Sequence, residues 1–115
     1  MAESGAMRVN VSSENGVAVV APVGDLGTHE APALRQGLKE AADKRPGRII
    51  VDLSGVSYMA TSGLATLVEA LRIAKDAKTR LVLCAMQPRV KAVFEISRLT
   101  NVFTIVDTKS AAMTV

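Results

Sequence analysis

Two short runs of β-branched and aliphatic residues, Arg48 to Leu53 (Arg-Ile-Ile-Val-Asp-Leu) and Leu81 to Met86 (Leu-Val-Leu-Cys-Ala-Met), constrain the fold most, because a helical stripe separates them. Near-continuous hydrophobicity over so few residues suits a strand covered on both faces. Between the runs, from Ser62 to Lys78, Leu64, Leu67, Val68, Leu71 and Ala74 recur at helical spacing, and Glu69, Arg72, Lys75, Asp76 and Lys78 face away. That is the pattern of an amphipathic helix. A strand, a helix and a second strand imply a crossover between parallel neighbours, with Arg48 to Leu53 at the sheet's centre.

The rest of the chain is read around this unit. Met7 to Ser13 alternates and Val17 to Val23 is almost wholly apolar, with Glu14-Asn15-Gly16 between them. Asn-Gly tolerates the positive φ of a tight primed turn, so the chain opens on an antiparallel hairpin. After Gly24-Asp25-Leu26-Gly27, Leu34, Leu38, Ala41 and Ala42 predict a helix from about Thr28 to Lys44. Thr28 is its expected N-cap, Pro32 fits the first turn, and Pro46-Gly47 ends it. Pro88 starts a short helix whose apolar face is Val90, Val93 and Phe94, and Phe103 to Val106 is a last strand. Thr108 to Val115 is too short for a long closing helix. The order β-β-α-β-α-β-α-β is an α/β pattern.

At 115 residues with no linker or internal repeat, one domain is expected, and 49% apolar residues can fill its interior without metal or disulfide. Cys84, the sole cysteine, reads as a small core hydrophobe in a reducing compartment. Residues 1–7 lack the basic start and apolar stretch of a secretory signal and read as a flexible tail. No apolar run is long enough to span a membrane, and the expected location is cytoplasmic. The net charge of +3 is spread along the chain and aromatics are 3%, so neither the basic groove nor the stacking platform of a nucleic-acid binder is visible.

Enzyme signatures are also missing. There is no G-x-x-x-x-G-K-[ST] phosphate loop, and His29 as the only histidine leaves no multi-histidine metal site. Asp52 lacks the acidic cluster and later lysine of a phosphorylated-aspartate receiver. A relay of Asp25, His29 and a hydroxyl of Thr61 or Ser62 is conceivable, although such residues beside a helix start also serve as solvated or capping groups. The reading favoured is a non-catalytic protein without a cofactor.

Thr61-Ser62-Gly63-Leu64 stands where a buried strand hands over to the amphipathic helix. First-turn amides and the positive end of the helix dipole allow two roles for the hydroxyls. They can cap the helix, stabilising it by about 1 kcal/mol. Alternatively one can be phosphorylated, adding about −1.5 to −2 charges where an anion is tolerated and changing any partner docked there.

Val51-Asp52-Leu53-Ser54-Gly55-Val56-Ser57-Tyr58-Met59-Ala60-Thr61-Ser62-Gly63-Leu64 resembles the signature of STAS domains, specifically the bacterial anti-sigma-factor antagonists. That pattern runs from an apolar strand through Leu-x-x-Val/Leu-x-Phe/Tyr-Met to Asp-Ser-Ser/Thr-Gly-Leu. Gly24-Asp25-Leu26 is similar to the family's Gly-Glu/Asp-Leu segment, and Cys84 to Phe94 to its Cys-x-x-x-Pro-x-Val-x-x-x-Phe region. The resemblance implies a STAS domain over residues 8–115, with a central mixed sheet of about five strands and helices packed largely on one side.

It also implies a function. The unphosphorylated antagonist would bind a serine/threonine kinase that acts as the anti-sigma factor, releasing the sigma factor to transcription. Phosphorylation would switch it off and a separate serine/threonine phosphatase would restore it. By correspondence Thr61 is the phosphoacceptor and Ser62 the second candidate. The partner-binding set is Gly24, Asp25, Gly27, Thr28, Ala60, Thr61, Ser62, Gly63 and Leu64, and ATP and magnesium belong to the kinase. Three positions depart from the pattern. Ala60 and Gly27 replace acidic residues beside the acceptor, and Arg98 replaces a commonly small residue before Leu99. The alternative function is a phosphorylation-independent scaffold or a small-anion-binding module using the same helix start.

Overall fold

A computed structural model describes residues 7–115. The chain opens on β1 (Arg8–Glu14) and β2 (Val17–Leu26), an antiparallel hairpin in which Val11 faces Val20. Asn15 (φ 54°) and Gly16 (φ 79°) both take the positive φ that the sequence predicts for this turn. Helix α1 (Ala31–Asp43) leads to β3 (Arg48–Asp52) and directly to β4 (Val56–Met59); α2 (Thr61–Asp76) follows. The chain then forms β5 (Arg80–Cys84), α3 (Pro88–Ile96), β6 (Thr104–Val106) and α4 (Lys109–Ala112).

The sheet runs β1-β2-β3-β5-β6, parallel except for β1, with β4 added alongside β2. Strand β2 is long enough to hold two partners in succession. Val17 to Val20 pair with β3, and Gly24 to Leu26 pair with β4 across a register shift between Gly24 and Asp25. The turn from β3 to β4 is tied down at both ends. Asp52 Oδ1 accepts from Ser54 N at 3.0 Å, Gly24 N donates to Gly55 O at 2.9 Å, and Gln87 Nε2 donates to Ser54 O at 2.8 Å.

Alternation along β3 and β5 divides the interior, since neighbouring strand residues point to opposite faces. Ile49, Val51, Leu81 and Leu83 pack with Leu34, Leu38, Leu67, Val90 and Phe94, so α1, α2 and α3 cover one face. Phe94 meets Phe103 edge to face, with ring centroids 5.6 Å apart. Ile50, Val82 and Cys84 turn the other way, where Ala112 of the short α4 covers them. Arg48 Nη1 holds that helix by donating to Ala112 O (2.7 Å) and Val115 O (2.5 Å). Cys84 is wholly buried, and burial first, then the Asp52 carboxylate, push its thiol up to about 11, with Lys109 opposing. It is a core residue, as the sequence predicts.

One strand was not foreseen, and one expectation needs correction. Between β3 and α2, where the sequence predicts no further strand, the chain forms β4, and α2 begins at Thr61. Helix α1 begins at Ala31 rather than near Thr28, and its N-cap is Glu30 with no side-chain cap bond. The reason is a turn closed by Glu30 N and Ala31 N on Gly27 O (3.2 and 3.0 Å) and by Gly27 N on Glu30 Oε1 (3.0 Å). Thr108 to Val115 carries only the single turn α4, in line with a stretch too short for a long closing helix, and Thr108 Oγ1 caps it by accepting from Ala111 N at 3.0 Å. The tail expected over residues 1–7 lies outside the described residues except for Met7, which packs half-buried against the core.

Candidate docking and phosphorylation site

Helix α2 starts at the C-terminal end of β4, on the sheet edge where parallel α/β folds present ligand-facing residues. Ala60 is its N-cap, extended at φ −85° and ψ 168°, and its carbonyl accepts from Gly63 N (3.0 Å) and Leu64 N (3.2 Å). Ala60 N in turn donates to Leu26 O at 2.8 Å, joining the ends of β4 and β2. Thr61 and Ser62 therefore occupy the first two helical positions. Neither hydroxyl caps the helix, which excludes the capping role that the sequence left open.

The two hydroxyls differ in their surroundings. Thr61 is exposed, whereas Ser62 is half-buried and its Oγ donates a long 3.3 Å bond to Thr28 Oγ1. That bond ties the β2–α1 turn to the start of α2. Gly63 and Leu64 face inward: Leu64 is 7% exposed, and a Cβ on Gly63 would stand 2.6 Å from Leu26 Cγ. These two position the turn, while Thr28, Ala60, Thr61 and Ser62 are its accessible part.

Gly24, Asp25 and Gly27 lie on the adjoining strand end and turn. Asp25 Oδ1 accepts from Ser57 Oγ at 2.8 Å, linking β2 to β4. Neither this bond nor the Ser62–Thr28 bond involves His29, so the conceivable relay of Asp25, His29 and a hydroxyl is not assembled. At Gly27 the missing side chain has a replacement in space. Glu30 Oε1 lies 2.7 Å from where a Gly27 Cβ would stand, so a carboxylate from the next turn occupies the volume of an acidic residue at 27.

The turn at Thr61 and Ser62 borders an open depression that the sequence did not reveal. Thr28, Thr61 and Ser62 form one side of it, and Tyr58, Val93 and Ile96 the other. Its walls come from β4 and α3, which are far apart along the chain. One signal was available: Ile96 lies two residues beyond Phe94, off the buried stripe of α3. A separate cavity lies between α1 and α2 over Leu38, Ile49 and Leu81, with the exposed Arg35–Glu69 ion pair (3.1 Å) in its lining, and includes neither Thr61 nor Ser62.

Residues 8–112 match the family model of the STAS domain. The chain belongs to the STAS domain family. Among its relatives is the proposed anti-sigma factor antagonist BtrV of Bordetella bronchiseptica, 26% identical over 92% of this chain and 91% of that protein. The fold is that of an anti-sigma factor antagonist from Mycobacterium paratuberculosis, with a TM-score of 0.86 at 24% identity over 94% of this chain and 92% of the other. SpoIIAA, an anti-sigma factor antagonist solved in its unphosphorylated form, superposes with a TM-score of 0.78 at 21% identity, covering 92% of this STAS chain and 93% of its own. SpoIIAA of Bacillus has also been solved in a phosphorylated form. Among the described residues of the STAS chain, no helix is long and apolar enough to cross a membrane.

Proposed function

We propose that this STAS domain is an anti-sigma factor antagonist whose binding to a kinase-type anti-sigma factor is switched off by phosphorylation of Thr61. The observation that carries this reading is the contrast between the two hydroxyls. Thr61 is exposed on the first turn of a long helix, beside its free amides, while Ser62 is engaged with Thr28. A kinase can reach the first without disturbing the second. The names of the relatives supply the partner class: BtrV and SpoIIAA are both named for antagonism of an anti-sigma factor.

Unmodified, the turns at 24–28 and 60–63 present a surface of hydroxyls, backbone and Asp25, with no bulky group over Thr61. A phosphate there adds about −1.5 to −2 charges and three acceptor oxygens. The positive end of α2 tolerates that charge within the domain, but a docked partner would have to bury it unpaired, which costs several kcal/mol. Release of the anti-sigma factor follows, and a serine/threonine phosphatase resets the cycle. ATP and its magnesium are the kinase's.

The test is incubation of the chain with candidate anti-sigma kinases of the same genome and ATP, followed by mass-spectrometric site mapping. Wild type is expected to gain one phosphate and Thr61→Ala none. Modification that persists in Thr61→Ala would reject the assignment. Identical partner affinities for wild type, Thr61→Ala and Thr61→Glu would instead identify a phosphorylation-independent scaffold.

A further inference from the structure

Ile96 is 83% exposed, the most of any large apolar side chain among the described residues, Tyr58 is 45% exposed, and both line the depression that Thr61 and Ser62 border. Val93 lies half-buried between them and the core. Scattered exposed apolar residues are ordinary, but apolar residues gathered around one recess mark an interaction surface. Of the nine residues that line it, none carries a charge, and the polar ones are hydroxyls. Depletion of charge at the centre with an aromatic present is the composition of a protein interface core.

The ridge is also firmly supported. Helix α3 ends with Ser97 N donating to Val93 O (3.1 Å), Arg98 N to Glu95 O (3.1 Å) and Leu99 N to Phe94 O (2.9 Å). Arg98 takes the left-handed conformation (φ 59°) that this ending requires. Ile96, on the last turn, is therefore presented by a closed helix end anchored through the buried Phe94.

We infer that Tyr58 and Ile96 form an apolar anchor for the anti-sigma factor, receiving an uncharged aliphatic or aromatic side chain of that partner beside Thr61. This rests on the proposed function and extends its surface from the acceptor turn to α3. The occupant follows from continuity and chemistry: the recess and the acceptor turn are one surface, and no charged side chain lines it to pair with an ionic group of the partner. The same feature would sharpen the proposed switch. A phosphate on Thr61 places a dianion against a contact made mainly by burying apolar surface, where desolvation opposes it most.

Equilibrium binding of the full chain to its anti-sigma kinase, measured by calorimetry without ATP, tests the inference. Five forms are compared: wild type, Ile96→Ser, Tyr58→Ser, Thr61→Glu, and Val102→Ser as an apolar loss outside the recess, Val102 being 48% exposed. Ile96→Ser removes almost no core contact, and circular dichroism checks the fold of each. The expected result is a loss of about tenfold or more in affinity for Ile96→Ser and Tyr58→Ser, the range of interface anchors, with Val102→Ser within about twofold of wild type. If Thr61→Glu weakens binding while Ile96→Ser and Tyr58→Ser do not, the anchor is overturned and the switch stands. If Thr61→Glu and the ridge variants all bind as wild type, both fail. A change in the chain's own sedimentation on Ile96→Ser, with kinase affinity unaltered, would assign the ridge to self-association and also overturn the inference.

Discussion

Single atoms decide whether the acceptor turn keeps its shape. Gly63 sits where α2 crosses the end of β2, and a Cβ there would approach Leu26 Cγ to 2.6 Å, Cδ2 to 2.7 Å and the Leu26 carbonyl to 3.3 Å. Leu26 is wholly buried and cannot swing away. Gly63→Ala should therefore destabilise the domain by about 1–3 kcal/mol through overpacking, against the ~1 kcal/mol that alanine normally gains inside a helix. Urea unfolding measures the sign. Cys84 makes a second residue-level prediction. Its thiol ionises near pH 11 in the fold and near the ordinary 9.0 when unfolded, so the folded state holds the proton more tightly. Stability from this source is complete below about pH 9 and is lost as pH rises toward 11. The difference between wild-type and Cys84→Ala unfolding curves should be flat below pH 9 and shrink above it. Glu30 shows the limit of reading residues one at a time: the loss of an acidic side chain at 27 was visible in the chain, but the carboxylate filling its place was not.

Elements were legible where the period was clean. The stripes of α1 and α2 and the runs of β3 and β5 follow directly from Leu34, Leu38, Leu64, Leu67, Ile49 to Val51 and Leu81 to Leu83. Strand β4 escaped because Ser57 and Tyr58 are both exposed between buried Val56 and Met59, which breaks simple alternation over only four residues. The start of α1 was misplaced because Thr28 has the chemistry of a cap, while its hydroxyl is engaged with Ser62. Helix ends show a related pattern. Arg45, Lys78 and Arg98 each adopt left-handed φ (51°, 59° and 59°) just past α1, α2 and α3, where glycine is the usual residue. This gives the reason a small residue is common where Arg98 stands, since the backbone there is left-handed; nothing in the structure explains the arginine itself. Arg98→Gly should remove the strain and raise stability by up to about 1 kcal/mol, seen as a higher denaturation midpoint with an unaltered slope. The recess at Ile96 could not be assembled from sequence, because it forms only when α3 lies against β4.

At the scale of the whole molecule, three helices shield one face of the sheet, the short α4 covers part of the other, and Thr61, the proposed acceptor, stands at the end of the parallel strands. Charge is mixed rather than segregated, with a net +3, so a single phosphate changes the local surface far more than the global balance. Modification should accordingly act on association and leave folding almost untouched: the phosphorylated chain is expected to melt within a few degrees of the unmodified one while losing its partner. A large drop in melting temperature would mean that the modification works by unfolding. Because β2 runs on past β3, its last residues Gly24 to Leu26 pair with β4, and Thr61 follows at the far end of that extension while Leu26, Val56 and Met59 root it in the core. On the proposed reading, a visiting kinase would meet a firm ledge at this end of the sheet, and the body behind it need not yield.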